Sequence, residues 1–317
     1  MEIRPPDIGP DAGPHAPRDK SAVAFFSVVL ALYALLGSVA QARHPALGLA
    51  WTEVFVFLLP AVAASAGSNL DPASFLLLRR RRPLEIALGA GVGGALFLVA
   101  SGVMTLTTLA LPQKWVEAFD LTHLFAGPGR ERLSMMLLAS VVAPLAEEVA
   151  FRGYALSALR TWARPWPSIA ASAFLFAVMH LDPVRFPAVL LLGVAFGWLT
   201  WRSGSVWPAV AAHAVNNALG SAVVAGAGGE PAQDADLLGA LGILSVGLAA
   251  LAPLAFLYWR ATPEPPPPGR SHALRDPGDP SIRFRLVRVP RAFLVAALAG
   301  LLAFLALAAG ATPLPAR

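Results

Sequence analysis

The sequence contains no cysteine, and only 14% of its 317 residues carry charge. Without thiols there is no disulfide framework, no thiolate nucleophile and no thiolate metal ligand. Charge this sparse cannot solvate a soluble domain, which ordinarily carries about 25%. No stretch between the apolar runs is long enough to fold as a soluble domain, so the net charge of +5 does not point to nucleic acid. No internal repeat is visible, which argues against a repeat-built transporter. No small-residue cleavage site follows the first apolar run, so a removable signal is not expected.

What the chain has instead is apolar length. Hydrophobic residues make up 56% of it, with a mean hydropathy of +0.63. Runs of about 18 apolar residues or more read as membrane spans, and they recur from end to end. The expected fold is an all-α polytopic bundle of about eight to nine spans around an intramembrane polar cavity. The expected spans are 22–41, 49–68, 84–111, 133–159, 166–182, 186–201, 205–226, 236–259 and 292–312. Residues 1–21 read as a disordered cytoplasmic tail, and 22–260 as the main transmembrane domain. A Pro- and Arg-rich cytoplasmic loop occupies 261–291, and 292–317 holds a last span and tail. Pro265 to Pro268 form a stiff spacer, and the following IRFRLVRV (282–289) suits an anionic lipid surface or a solvated loop equally.

Orientation follows from Lys and Arg. With the amino terminus in the cytoplasm, inner segments hold Arg4, Arg18, Lys20, Arg79 to Arg82, Arg160, Arg164, Arg202 and seven arginines from Arg260 to Arg291. Outer segments hold Arg43, Lys114, Arg130, Arg132, Arg185 and Arg317, a ratio of 17 to 6. A cytoplasmic amino terminus is therefore expected. Abundant Ala, Arg, Pro and Gly point to a GC-rich bacterial genome and hence a bacterial cell membrane.

Ionisable groups at membrane depth are costly and mark function by default. They concentrate on three spans: Glu147, Glu148 and Arg152 on the fourth, His180 on the fifth, His213 with Asn216 and Asn217 on the seventh. The first, second and last spans carry no candidate chemistry. Glu148 and Arg152 stand at i and i+4, where an ion pair forms; that pairing reads as structural. Glu147 diverges by about 100° and stays available. Phe176 shares a face with His180, and His213 with Asn217. Counted from the cytoplasmic helix ends at about 1.5 Å per residue, Glu147, His180 and Asn217 lie roughly 18–21 Å in, and His213 about 12 Å. One polar pocket reached from the cytoplasm is the expected arrangement. Pro144 should kink the helix one turn before Glu147, and Gly193 with Gly197 lets two helices approach.

The strings EEVAFR (147–152), FAVMH (176–180) and HAVNN (213–217) match the motifs EExxxR, FxxxH and HxxxN. In this order, on separate spans, they resemble the CPBP family of intramembrane proteases, which includes the CAAX prenyl endopeptidases and the abortive-infection and bacteriocin-immunity proteins. The resemblance covers about residues 130–230. It implies a helical bundle with a cytosol-facing cavity and cleavage of a membrane-associated peptide or protein. By this likeness Glu147 and His180 activate water, and His213 and Asn217 hold the carbonyl oxygen. Glu148 and Arg152 support the site, and Phe176 forms core or pocket wall.

Amide hydrolysis needs a base, oxyanion donors and an acid for the leaving amine, and this residue set contains all three. The family is commonly described as metalloproteases. Glu147, His180 and His213 are the candidate ligands for a divalent metal such as zinc, but they do not form the compact HExxH arrangement. A metal-free glutamate mechanism is slightly preferred, because the set spans three helices and includes a carboxamide. The alternative from another class is a non-proteolytic scaffold or immunity protein that binds a partner within the bilayer.

Overall fold

The computed structural model describes residues 19–66, 72–125, 127–160, 165–226 and 236–262. Among them are eight long helices: α1 (Ala22–Arg43), α2 (Pro45–Ala66), α3 (Pro83–Ala110), α4 (Gly129–Leu159), α5 (Pro165–Met179), α6 (Phe186–Ser203), α7 (Trp207–Gly226) and α8 (Leu237–Ala261). Their starts and stops follow local chemistry. Proline opens α2, α3 and α6 within the first turn, where its missing N–H costs nothing. Asp236 caps α8 by accepting from the Gly239 N–H at 2.5 Å. Gly204, at φ 67°, ends α6 in the left-handed region.

Six of the eight are long and apolar enough to cross a membrane. The fifth expected span is a helix of only 15 residues, three residues shorter at its end than anticipated. The seventh is helical from Trp207 to Gly226, but its His and Asn residues dilute its apolarity. The tail up to residue 18, most of the Pro- and Arg-rich loop and the ninth expected span lie outside the described residues.

Helix α3 is the axis of one half of the bundle. It runs parallel to α7, where a Cβ at Gly93 would collide with the Ala212 carbonyl and one at Gly89 with Pro208. It runs antiparallel to α8 through Gly102 on Leu244 and Gly247 on Val99. Helices α5 and α6 form an antiparallel hairpin. Gly193 rests on Ala173 and Gly197 on Ile169, each leaving only 3.0 Å for an added Cβ, as the GxxxG spacing anticipates. Leu181, at φ 49°, turns the chain between them in a conformation costly for a branched side chain.

Four π-helical turns interrupt the helices: Tyr33–Gly37 in α1, Glu53–Leu58 in α2, and Leu138–Val142 and Val149–Ala155 in α4. The first of those in α4 lies immediately before Pro144, where the sequence predicts a kink.

The helix ends sort into two faces. At one face Arg82 bonds the carbonyl of Ala261, Arg202 bonds those of Trp259 and Thr262, and Ser205 Oγ bonds that of Arg79. The starts of α3 and α7 thus meet the ends of α6 and α8, with the arginine block among them. At the other face Arg132 donates to Ala225 O, joining the start of α4 to the end of α7.

Candidate active site

Glu148 and Arg152 are both fully buried, and Arg152 Nη1 donates to Glu148 Oε1 at 2.9 Å. Arg152 Nη2 reaches across to the Gly193 carbonyl on α6 at 3.2 Å. The guanidinium carbon lies 4.2 Å from the Phe176 ring centroid and 5.5 Å from that of Phe196, distances at which a desolvated cation is attracted to the ring face. Aromatic rings and one carbonyl therefore stand where water would otherwise solvate the charge.

His213 Nδ1 lies 3.0 Å from the same Glu148 oxygen, and its Nε2 lies 3.6 Å from Glu147 Oε2. The imidazole bridges the two adjacent glutamates, which point apart as the helix geometry requires. Because a carboxylate only accepts, Nδ1 carries a proton toward Glu148 and Nε2 is left facing Glu147. Phe196 stacks on the ring at 4.8 Å and 23°, and Phe176 meets it edge-on at 5.8 Å.

His180 stands just past the end of α5. Its Nδ1 lies 2.9 Å from Phe176 O, so that nitrogen donates and Nε2 is the free acceptor. The Phe176 ring sits against it at 4.9 Å. No nitrogen of His180 is within ion-pair distance of Glu147; the two share a pocket rather than a contact.

Asn217 is positioned by the proline. In the π turn the Ala143 N–H bonds Leu138 O, one residue beyond the α-helical register. In that register the Ala139 carbonyl would look to the N–H of Pro144, which has none. Asn217 Nδ2 takes that carbonyl at 2.9 Å, and Asn216 Nδ2 donates to Asn217 Oδ1 at 3.1 Å. The carboxamide is held at both ends, with one N–H to spare.

A pocket of about 530 Å³ is lined by Glu147, His180, His213 and Asn217, together with Phe176 and a largely apolar wall. The lining also takes in Gln41 near the end of α1, Pro45 at the start of α2, Leu121, Leu124 and Phe125 after α3, and Arg185 before α6, all at the end of the molecule opposite the arginine block. The pocket thus lies toward the end of the bundle away from Arg79 to Arg82. A depth of about 20 Å from the basic end passes the middle of a roughly 30 Å hydrocarbon core, and α5 ends just before His180.

A correction concerns α2, expected to carry no chemistry. Glu53 lines this pocket, is 2% exposed, and leaves Oε2 without a hydrogen-bond partner. Among the described residues no cation pairs with it. Counted from 49 it resembles a span end; α2 begins at Pro45, so it lies eight residues into the helix. The signal was an acid inside an apolar run. Phe196 carried no comparable signal.

A metal fits poorly. Among the described residues no group of three His, Cys, Asp or Glu side chains is arranged to hold a metal ion, and the separation of His180 from Glu147 is part of the reason.

Residues 129–219 match the Rce1-like family, described as type II CAAX prenyl endopeptidase Rce1-like. The matched segment runs from the first turn of α4 into α7 and contains all three motifs. Over these residues the chain is similar to the CPBP/CAAX protease family. No curated protein and no solved structure matches the chain. The six apolar helices and this likeness point to an integral membrane protein.

Proposed function

We propose that the protein is an intramembrane endopeptidase that hydrolyses a peptide bond of a membrane-associated protein or peptide. The observation that carries the proposal is the His213 bridge between a fully buried glutamate and one that faces a pocket shared with His180 and Asn217. A structural ion pair explains Glu148 and Arg152. It does not explain why a second carboxylate, two imidazoles and a tethered carboxamide face the same space.

In this reading a water sits between the Glu147 carboxylate and His180 Nε2, both acceptors. Glu147 takes its proton as the oxygen attacks the substrate carbonyl, and later returns that proton to the leaving amine. The spare N–H of Asn217 donates to the oxyanion. His213 adds a second donor from Nε2 when its ring carries both protons. The apolar wall accommodates a hydrophobic peptide segment. No step is routed through a metal.

Replacing Glu147 by Gln keeps the shape and removes the base, so turnover should fall by roughly 10²–10⁴. The measurement is peptide mapping of membrane proteins from cells expressing wild-type or E147Q protein at equal level. Cleavage products that persist undiminished in E147Q would refute the assignment. Partner binding with no cleavage, unaffected by E147Q, would favour the scaffold.

A further inference from the structure

We infer that the α1–α2 wall of the pocket is a binding site for a cationic side chain of the substrate, with the Glu53 carboxyl as its anion and Tyr33 and Phe57 as its aromatic walls. The inference rests on the endopeptidase reading for the word substrate; the cation site itself stands on the residues that build it.

Glu53 is buried, its Oε2 has no hydrogen-bond partner, and its side chain lines the pocket. A buried carboxyl oxygen left unpaired bears its full desolvation cost, so a fold that keeps one calls for an explanation. Among the described residues no cation supplies the partner. Arg185 also lines the pocket, but its Nε is held by Asp182 at 2.5 Å, and Asp182 in turn accepts the N–H groups of Val184 and Arg185. That guanidinium is anchored to its own turn.

The backbone prepares the wall. Tyr33 and Glu53 each open a π-helical turn, Tyr33–Gly37 and Glu53–Leu58, a distortion that recurs at functional sites. Both side chains line the pocket, and so does Phe57, whose ring centroid lies 6.2 Å from that of Tyr33. The Glu53–Leu58 turn packs directly on Ala143–Glu148, the stretch of α4 that carries Glu147. An acid and two rings therefore stand in the same pocket as Glu147, on the neighbouring helix.

The molecule itself shows what such a combination holds. Arg152 is buried against Glu148, with the Phe176 and Phe196 rings 4.2 and 5.5 Å from its guanidinium carbon. A carboxyl group and ring faces take the place of water around a desolvated cation. On the α1–α2 wall the carboxyl and the rings recur, and among the described residues no cation joins them. An Arg or Lys side chain of a bound peptide completes the set. Its charged head meets Glu53, its methylene stem lies along the apolar wall, and its backbone is brought toward Glu147. A segment with no basic residue leaves the Glu53 carboxyl without a partner, and that unmet group disfavours it.

The test uses two fluorescein-labelled, Leu- and Ala-rich peptides that differ at one central residue: arginine in one, citrulline, its neutral isostere, in the other. Binding is measured by fluorescence anisotropy in detergent on the full chain carrying E147Q, which retains the cation site and does not cut the probe. The same measurement is made on E147Q/E53Q. The arginine peptide is expected to bind E147Q about tenfold tighter than it binds E147Q/E53Q, and the citrulline peptide to bind the two alike within about twofold. An arginine peptide that binds both proteins equally, or does not bind E147Q, overturns the inference. So does an equal loss for both peptides on E53Q, which would make Glu53 a support of pocket shape. The comparison of the two peptides on E147Q alone keeps the test standing should E53Q fold poorly: equal affinity there overturns the inference as well. Because binding is read without catalysis, the expected preference together with a wild-type chain that cleaves neither peptide would sink the endopeptidase reading and leave the cation site standing.

Discussion

Replacing Glu148 by Gln isolates what holds the site together. Oε1 of Glu148 receives both Arg152 Nη1 and His213 Nδ1, while Oε2 has no partner. Gln can still offer one oxygen, but it puts an N–H₂ where no acceptor stands and leaves Arg152 charged, fully buried and uncompensated. Removing one member of a buried pair costs about 3–5 kcal/mol. The Phe176 ring and the Gly193 carbonyl keep hold of the guanidinium, which places the expected loss near the lower end, about 3 kcal/mol. At about 2–4 °C per kcal/mol for a chain of this order, the Tm should fall by roughly 6–12 °C. The assay is thermal unfolding in detergent followed by tryptophan fluorescence, with E147Q as the control, whose Tm should stay close to wild type. The double variant E148Q/R152M removes the stranded charge and should recover most of the stability, yet remain inactive because His213 has lost its carboxylate. An E148Q protein as stable as wild type, or a double variant no better than the single, would refute the reasoning.

Three further outcomes are expected. Asn217→Ala should cut turnover by roughly 10²–10³, the cost of one oxyanion donor. Pro144→Ala, which gives the Ala139 carbonyl a competing N–H, should lower kcat by about tenfold while KM and Tm hold or improve; an unchanged kcat would separate the proline from the carboxamide. Glu53→Met removes a buried carboxyl oxygen that has no partner, and should raise stability by about 1–3 kcal/mol while lowering turnover. A lowered Tm with intact activity would make Glu53 a structural residue instead.

The parts of the site that the sequence discloses are those fixed by helix spacing alone. EEVAFR places Glu148 and Arg152 one turn apart and turns Glu147 away, and the pair is found bonded. FAVMH places Phe176 against His180, and ring contact follows. Spacing says nothing about which helices are neighbours, so it misses the His213 link to both glutamates and the Phe196 stack upon it. It also assumes a uniform α register. The π turns at Glu53–Leu58 and Leu138–Val142 break that assumption, and around them lie the two features least legible in advance: the inward Glu53 and the freed Ala139 carbonyl.

Two glutamates adjacent in sequence are the most economical way to put carboxylates into two different surroundings, because one step along a helix rotates the side chain by about 100°. Glu148 turns into a compartment of arginine, imidazole and aromatic faces, where it is held by Arg152 and His213. Glu147 turns into the pocket, 13% exposed by its side chain and 3.6 Å from the far nitrogen of the same imidazole. The ring therefore links a fixed carboxylate to one that faces the pocket, so that any shift in the first is felt by the second through a single rigid group. That coupling explains why so many aromatic rings surround residues that do no chemistry. Phe176 touches Arg152, His180, His213 and Phe151 at once, so the two imidazoles from α5 and α7 share one wall. Substituting Phe176 by Leu would keep apolar volume but remove the flat face on which the cation rests, loosening both histidines together. The motif's phenylalanine is thus as much a part of the geometry as its histidine.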